Sequence, residues 1–271
     1  MNDTRHVASG MALLGLLMAG QIASADAGPR PMRELTVSAG ALQMNYVEKD
    51  EQHLTPEGFL DAENGPLTAV RVHTRIRDLS TRLNRPYEVT ASLMFASGST
   101  TYDGHLQPPS LAYLRTTDSQ RISDVDLRLG FPLSASDHRE LTPVVFLGRH
   151  DWNRSSASFA EWYSHFLAGG GLEAGQEWNE QWWLRGEVTA AWMLDSTLDV
   201  TSHHTVLDLG PSVILGAAIE AEYRWDAQAG IFGRVGWQRF EYGRSGTVNG
   251  IYEPASVSQL SPFLFGLRRS F

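Results

Sequence analysis

The residues to weigh first are histidines close to hydroxyls or carboxylates, because an imidazole beside either is the smallest apparatus for hydrolysis. Histidine followed by serine two residues on, one spacing that sets a base and a hydroxyl on one face of a strand, does not occur. The nearest forms, His53-Leu54-Thr55 and His203-His204-Thr205, fall in stretches that read as loops, without the rigid support such catalysis needs. For metals, the adjacent His203 and His204 would point to opposite faces of a strand, and no third ligand accompanies them. Asp61-Ala62-Glu63-Asn64-Gly65 has the residue types of a weak calcium loop, which are equally those of a plain turn. No catalytic, cofactor-binding or metal-binding residue is assigned, and no enzyme activity is expected.

The elements around these residues are more informative. Val70, Val72, Thr74 and Ile76 alternate with Arg71, His73, Arg75 and Arg77, and a strand sends the two sets to opposite faces. Tyr87, Val89, Ala91, Leu93 and Phe95 alternate with Glu88, Thr90 and Ser92. Val125, Leu127, Leu129 and Phe131 alternate with Asp124, Asp126 and Arg128. Ten such strands are expected, at 35–49, 67–78, 86–98, 121–133, 142–152, 158–173, 182–195, 207–224, 230–242 and 258–271. The connections alternate in length. Those at 50–66, 99–120, 196–206 and 243–257 are long, 153–157 is a short exception, and 79–85, 134–141, 174–181 and 225–229 are tight. An even strand number with long loops at one end and short turns at the other describes an all-β, antiparallel transmembrane barrel with extracellular loops and periplasmic turns.

The 271 residues contain no cysteine, which removes disulfides and thiolate chemistry. Of the 22 basic residues only Lys49 is a lysine, so nearly every cation is a guanidinium suited to carboxylate pairing. A net charge of −9 without a basic cluster excludes nucleic acid as a partner. Residues 1–27 read as a cleaved signal peptide: Arg5, an apolar run from Met11 to Ala19, and Ala25-Asp26-Ala27 before Gly28-Pro29. The barrel is then expected over 28–271.

Trp152, Trp162, Trp178, Trp182, Trp183, Trp192, Trp225 and Trp237 mostly fall near strand ends, as an aromatic girdle requires. The chain finishes SPFLFGLRRSF, with Phe263, Phe265, Leu267 and Phe271 on one parity. This last strand resembles the assembly signal of bacterial outer-membrane barrels, and the mature chain as a whole resembles the small members with eight to twelve strands. The resemblance implies residence in the outer membrane of a Gram-negative bacterium, outer-membrane lipid as surroundings, and the barrel insertion machinery as a partner. Omptin-type proteases are also ten-stranded, but they use an aspartate pair opposite a His-Asp pair, which His150, Asp151 and Asp103 do not supply. A soluble β-sandwich or lipocalin-like barrel is the competing fold, since alternation alone does not tell inside from outside.

With the apolar parity toward lipid, the lumen is expected to hold Arg71, Arg75, Arg77, Arg128, Arg149, Arg185, Arg234 and Arg268 against Glu88, Asp124, Asp126, Asp151, Glu161, Glu187, Glu220 and Glu222. Ten strands enclose little beyond their own side chains, so these charges should cross-link into a plug. The function then falls to the extracellular loops, in adhesion, ligand binding or envelope integrity. A narrow pore for small solutes ranks second, and an outer-membrane hydrolase third.

Overall fold

A computed structural model describes residues 32–78, 86–105, 112–135, 139–156 and 159–271. The leader expected at 1–27 and the connection at 79–85 lie outside them, as do parts of the connections at 99–120, 134–141 and 153–157. Ten long strands are present: β1 (Met32–Lys49), β2 (Phe59–Asp78), β3 (Tyr87–His105), β4 (Tyr113–Gly130), β6 (Arg139–Ser155), β7 (Ala160–Asn179), β8 (Trp182–Val200), β10 (Ser212–Arg224), β11 (Ala229–Tyr242) and β12 (Ser256–Ser270). Two short strands, β5 (Ser134–Ala135) and β9 (Thr205–Asp208), pair with β6 and β8. Each long strand runs antiparallel to the next, and β12 returns to β1 from Glu34↔Ser270 to Glu48↔Ser256. The sheet is therefore a closed ten-stranded barrel whose long strands satisfy their backbone groups from both sides, the condition for a sheet to stand in lipid.

The strands correspond one for one to the alternating stretches but are longer at the extracellular end. β2 begins at Phe59 and β3 continues to His105, so much of the length that reads as loop at 50–66 and 99–120 is strand. The outward side chains show where this extra length stands. On β8, Trp182 and Trp192 both face outward and are exposed, with exposed Val188 between them. Ten residues at about 3.3 Å each, tilted by roughly 40°, span a height of about 25 Å, which is that of the apolar band of an outer-membrane barrel. Trp178 and Trp225 join Trp182 at the periplasmic edge, and Trp237 joins Trp192 at the outer edge. Trp152 and Trp183 do not belong to this girdle, because both point into the lumen and are buried.

Beyond the Trp192 level the polarity of the wall inverts. Within the band, β1 turns Val37 outward and Glu34, Thr36 and Ser38 inward. Higher up, the same strand turns Gln43 and Asn45 outward and Leu42, Met44 and Tyr46 inward. β4 repeats the change, with Leu127 outside and Arg128 inside lower down, then Arg121 outside and Ile122 inside above. β11 does the same, from Val235 over Arg234 to Arg239 over buried Phe240. The lower part is a membrane barrel, and the upper part is a collar with a water-soluble barrel's polar outside and apolar core.

Local irregularities complete the collar. Ser164 of β7 pairs with Thr197 of β8 while Phe166 pairs with Leu194, so two residues of β8 oppose one of β7, and Asp195 takes a left-handed φ of 50°. This bulge shifts the side-chain parity of β8 by one, moving the inward set from Ala191 and Met193 to Ser196, Leu198 and Val200. β10 starts only at Ser212, and the missing wall is supplied by β9 and by a bridge from Gly210 to Gly243.

Candidate functional site: the filled lumen and its collar

Within the membrane band the lumen is a web of ion pairs. Arg75 contacts Glu88 at 3.1 Å and Glu173 at 3.2 Å, and Arg77 contacts Glu88 at 2.5 Å and Glu140 at 2.8 Å. Arg128 meets Asp126 at 2.7 Å, Glu187 at 2.9 Å and Glu173 at 3.4 Å. Arg185 lies between Glu140, Glu220 and Glu222 at 3.1–3.3 Å. Arg234 reaches Glu187 at 2.8 Å, and Arg268 reaches Glu34 at 3.0 Å, Glu220 at 2.6 Å and Glu222. Each of these six arginines has at least two carboxylate partners, the circumstance in which burying so many ions is tolerable.

Fourteen of the sixteen charges assigned to the lumen from sequence face inward. Glu161 sits in the collar beside Arg154, and Asp124 lies at the top of the band against His150 at 2.5 Å. Arg149 and Asp151 do not face the lumen. They lie on the outer wall, paired with each other at 2.8 Å, with Arg149 over the Phe166 ring. The cause is the composition of β6, which buries Val144 and turns Phe146 inward while Val145 and Leu147 face out, so apolar content marks neither side of that strand. Glu34, Glu140 and Glu173 belong to the web although sequence reasoning does not select them. Of the terminal-strand residues, Phe263, Phe265 and Leu267 are exposed on the lipid side, and Phe271 is exposed beyond the end of β12.

Above the ion web lies an apolar plug. Leu42, Met44, Tyr46, Leu67, Ile122, Trp152, Tyr163, Met193, Leu198, Leu207, Phe240 and Tyr242 are buried together inside the collar. Trp152 stacks on Tyr163 with ring centroids 4.5 Å apart, and Tyr46 stands edge-on to both. Below them His150 stacks on His165 at 4.8 Å, and Phe240 packs edge-on against both imidazoles.

The top of the plug is acidic around one cation. Arg154 lies 2.7 Å from Glu161, 2.9 Å from Glu63 and 3.6 Å from both Glu48 and Asp61. Glu253, from the β11–β12 connection, inserts here and accepts hydrogen bonds from the hydroxyls of Tyr46 at 2.8 Å and Tyr163 at 2.7 Å. Asp118 is wholly buried nearby, with both carboxylate oxygens unpartnered among the described residues. Carboxylates so outnumber the cation that burial holds several of them protonated. Desolvation raises Asp61 to about 7 despite Arg154, and raises Asp118 to about 6 with Glu63 adding to the effect. Burial, reinforced by Glu48 and Glu161, keeps Glu253 well above the ordinary carboxylate range.

The residues first weighed for chemistry are dispersed. His150 faces inward to Asp124 while Asp151 faces outward and bonds Arg149, so the adjacent pair is split by the wall. Asp103 has the outward parity of β3, opposite Arg115. Asp61 and Glu63 are on β2 facing Arg154, not in a turn. Tyr102, within the stretch 99–120 that reads as a loop, is buried in the lumen. Among the described residues no group of three His, Asp or Glu side chains is arranged to hold a metal ion.

No protein-family model and no curated protein matches the chain. Solved structures do match. The outer membrane protease OmpT of Escherichia coli is similar with a TM-score of 0.56 at 12% identity, over 90% of this chain and 99% of that one. The translocator domain of the autotransporter NalP from Neisseria meningitidis gives 0.44 at 11% identity, over 98% and 97% of the two chains. The outer membrane protein OprG of Pseudomonas aeruginosa gives 0.36 at 11%, over 89% and 97%. At such identity the first likeness speaks for fold and not for activity. The closed ten-stranded sheet, the apolar band and this likeness agree that the chain has the fold of the bacterial outer-membrane β-barrel proteins.

Proposed function

We propose that this protein is a closed, non-conducting outer-membrane barrel that works through the polar outside and loops of its collar, as a binding, adhesion or envelope-stabilising surface. The observation that carries this reading is the polarity inversion. A pore has no use for an apolar core across its lumen, whereas a platform that must hold loops rigidly above a membrane does. The ion web beneath the plug seals and braces the same lumen. Outer-membrane lipid and the insertion machinery are the partners of the wall, and an extracellular ligand is the partner of the collar.

An enzymatic role is not part of the reading. The His150–Asp124 pair is enclosed by His165 and Phe240 beneath the plug, out of reach of a macromolecular substrate. The test is to exchange the connections 50–58 and 246–251 for tight turns and to compare intact cells for mutual aggregation and attachment. Loss of attachment with the barrel still folded supports a binding collar. Unchanged attachment with weakened resistance to detergent points to the envelope-stabilising role, and unchanged behaviour in both overturns the proposal.

A further inference from the structure

Arg71 is the exception in the ion web. Arg75, Arg77, Arg128, Arg154, Arg185, Arg234 and Arg268 each have a carboxylate within 4 Å. Arg71, on the same inner wall, has none among the described residues. Its one side-chain hydrogen bond runs from Nε to the Ser92 hydroxyl at 2.8 Å. The acids at its level are already engaged: Asp126 by Arg128 at 2.7 Å, and Glu187 by Arg128 at 2.9 Å and Arg234 at 2.8 Å.

Arg71, His73 and Thr36 line one cavity of about 40 Å³, whose wall also carries Glu173, Glu187 and Glu220, each already paired with arginines. Two polar atoms on that lining are also unsatisfied, the Thr36 hydroxyl, whose residue is 4% exposed, and Nδ1 of His73. Thr36 and His73 are cross-strand partners on β1 and β2, so their side chains share the inner wall. Arg71 precedes His73 by two residues and so lies on the same side of β2. A guanidinium without a counter-charge, a hydroxyl and an imidazole N–H are all able to donate toward the same space. An uncompensated charge at membrane depth marks a site that lacks its partner.

We propose that this cavity binds one small inorganic anion, a halide, held by Arg71, Thr36 and His73. A volume of about 40 Å³ has room for a halide. The anion supplies the counter-charge that no carboxylate within 4 Å gives Arg71 among the described residues. This is independent of whether the collar binds a partner.

The test uses the full mature barrel in detergent. Its melting is followed by heat-dependent gel mobility in sodium chloride and in sodium gluconate at equal ionic strength. The expected result is a saturable rise of several degrees in chloride over gluconate, lost in Arg71→Met and kept in Arg121→Met, whose side chain is on the outer wall. Equal melting of the wild type in both salts overturns the proposal, as does an undiminished chloride effect in Arg71→Met. If Arg71→Met does not fold, crystals of the wild type grown in bromide decide. An anomalous peak between Arg71, Thr36 and His73 supports the site, and water alone there overturns it.

Discussion

Trp152 and Tyr163 stand opposite each other on β6 and β7 and stack at 4.5 Å, at an interplanar angle of 18°, in the lumen of the collar. An aromatic pair at this spacing adds roughly 0.5–1.5 kcal/mol beyond its area burial. Trp152→Ala removes both the pair and the filling of the plug, and a loss of about 3–5 kcal/mol is expected. Trp192→Ala, on the lipid side, is expected to cost far less. Urea unfolding in detergent compares the two, and equal losses would count against a packed plug.

The acidic top of the plug makes stability depend on pH. The folded-state pKa of Asp61 is raised from 3.8 to about 7, so its contribution is fully present below pH 3.8 and is lost as pH rises through 7. Glu48 and Glu253, also raised by burial, act in the same direction. Melting temperature is expected to fall between pH 5 and pH 8. Asp61→Asn removes one of the protons that the folded state retains, so it should flatten the fall in stability by up to ~1.4 kcal/mol for every pH unit crossed. A wild-type melting temperature that rises over this interval contradicts the protonated cluster.

The polarity inversion predicts opposite tolerances for the same substitution along one strand. Leu147→Arg on β6 places a cation on the lipid side and should cost about 2–4 kcal/mol near the midplane. Asn153→Arg, six residues higher on the same side, should be nearly silent. The readout is the folded fraction recovered in lipid vesicles, where equal yields would remove the boundary drawn at Trp192.

Deleting Phe271, exposed at the end of the last strand, should lower the folded form in outer-membrane fractions, seen by heat-dependent gel mobility. Wild-type amounts of folded protein would withdraw the assembly role drawn from the resemblance of this strand.

The band was legible in the sequence because lipid outside and charge inside give each strand a clean period of two, as in Val70 to Arg77. The collar was not, since its strands alternate just as well with the faces exchanged. Leu42, Met44 and Tyr46 against Gln43 and Asn45 look like more lipid-facing wall until the tertiary structure turns them inward. Boundaries account for the missing acids. Glu34 and Glu140 lie just before the expected starts at 35 and 142, and Arg154 lies beyond the expected end at 152. Glu173 follows Gly169, Gly170 and Gly171, which carry no alternation to set its face. Asp61 and Glu63 have turn-forming neighbours, so their place on β2 depends on pairing with β1 and β3, which local sequence does not encode.

Current through the purified barrel in planar bilayers tests the closed lumen most directly. The ion web and the plug above it predict a silent membrane over a wide voltage range. Steady, ion-selective openings of the wild-type protein would contradict the closed barrel and make a narrow pore its function.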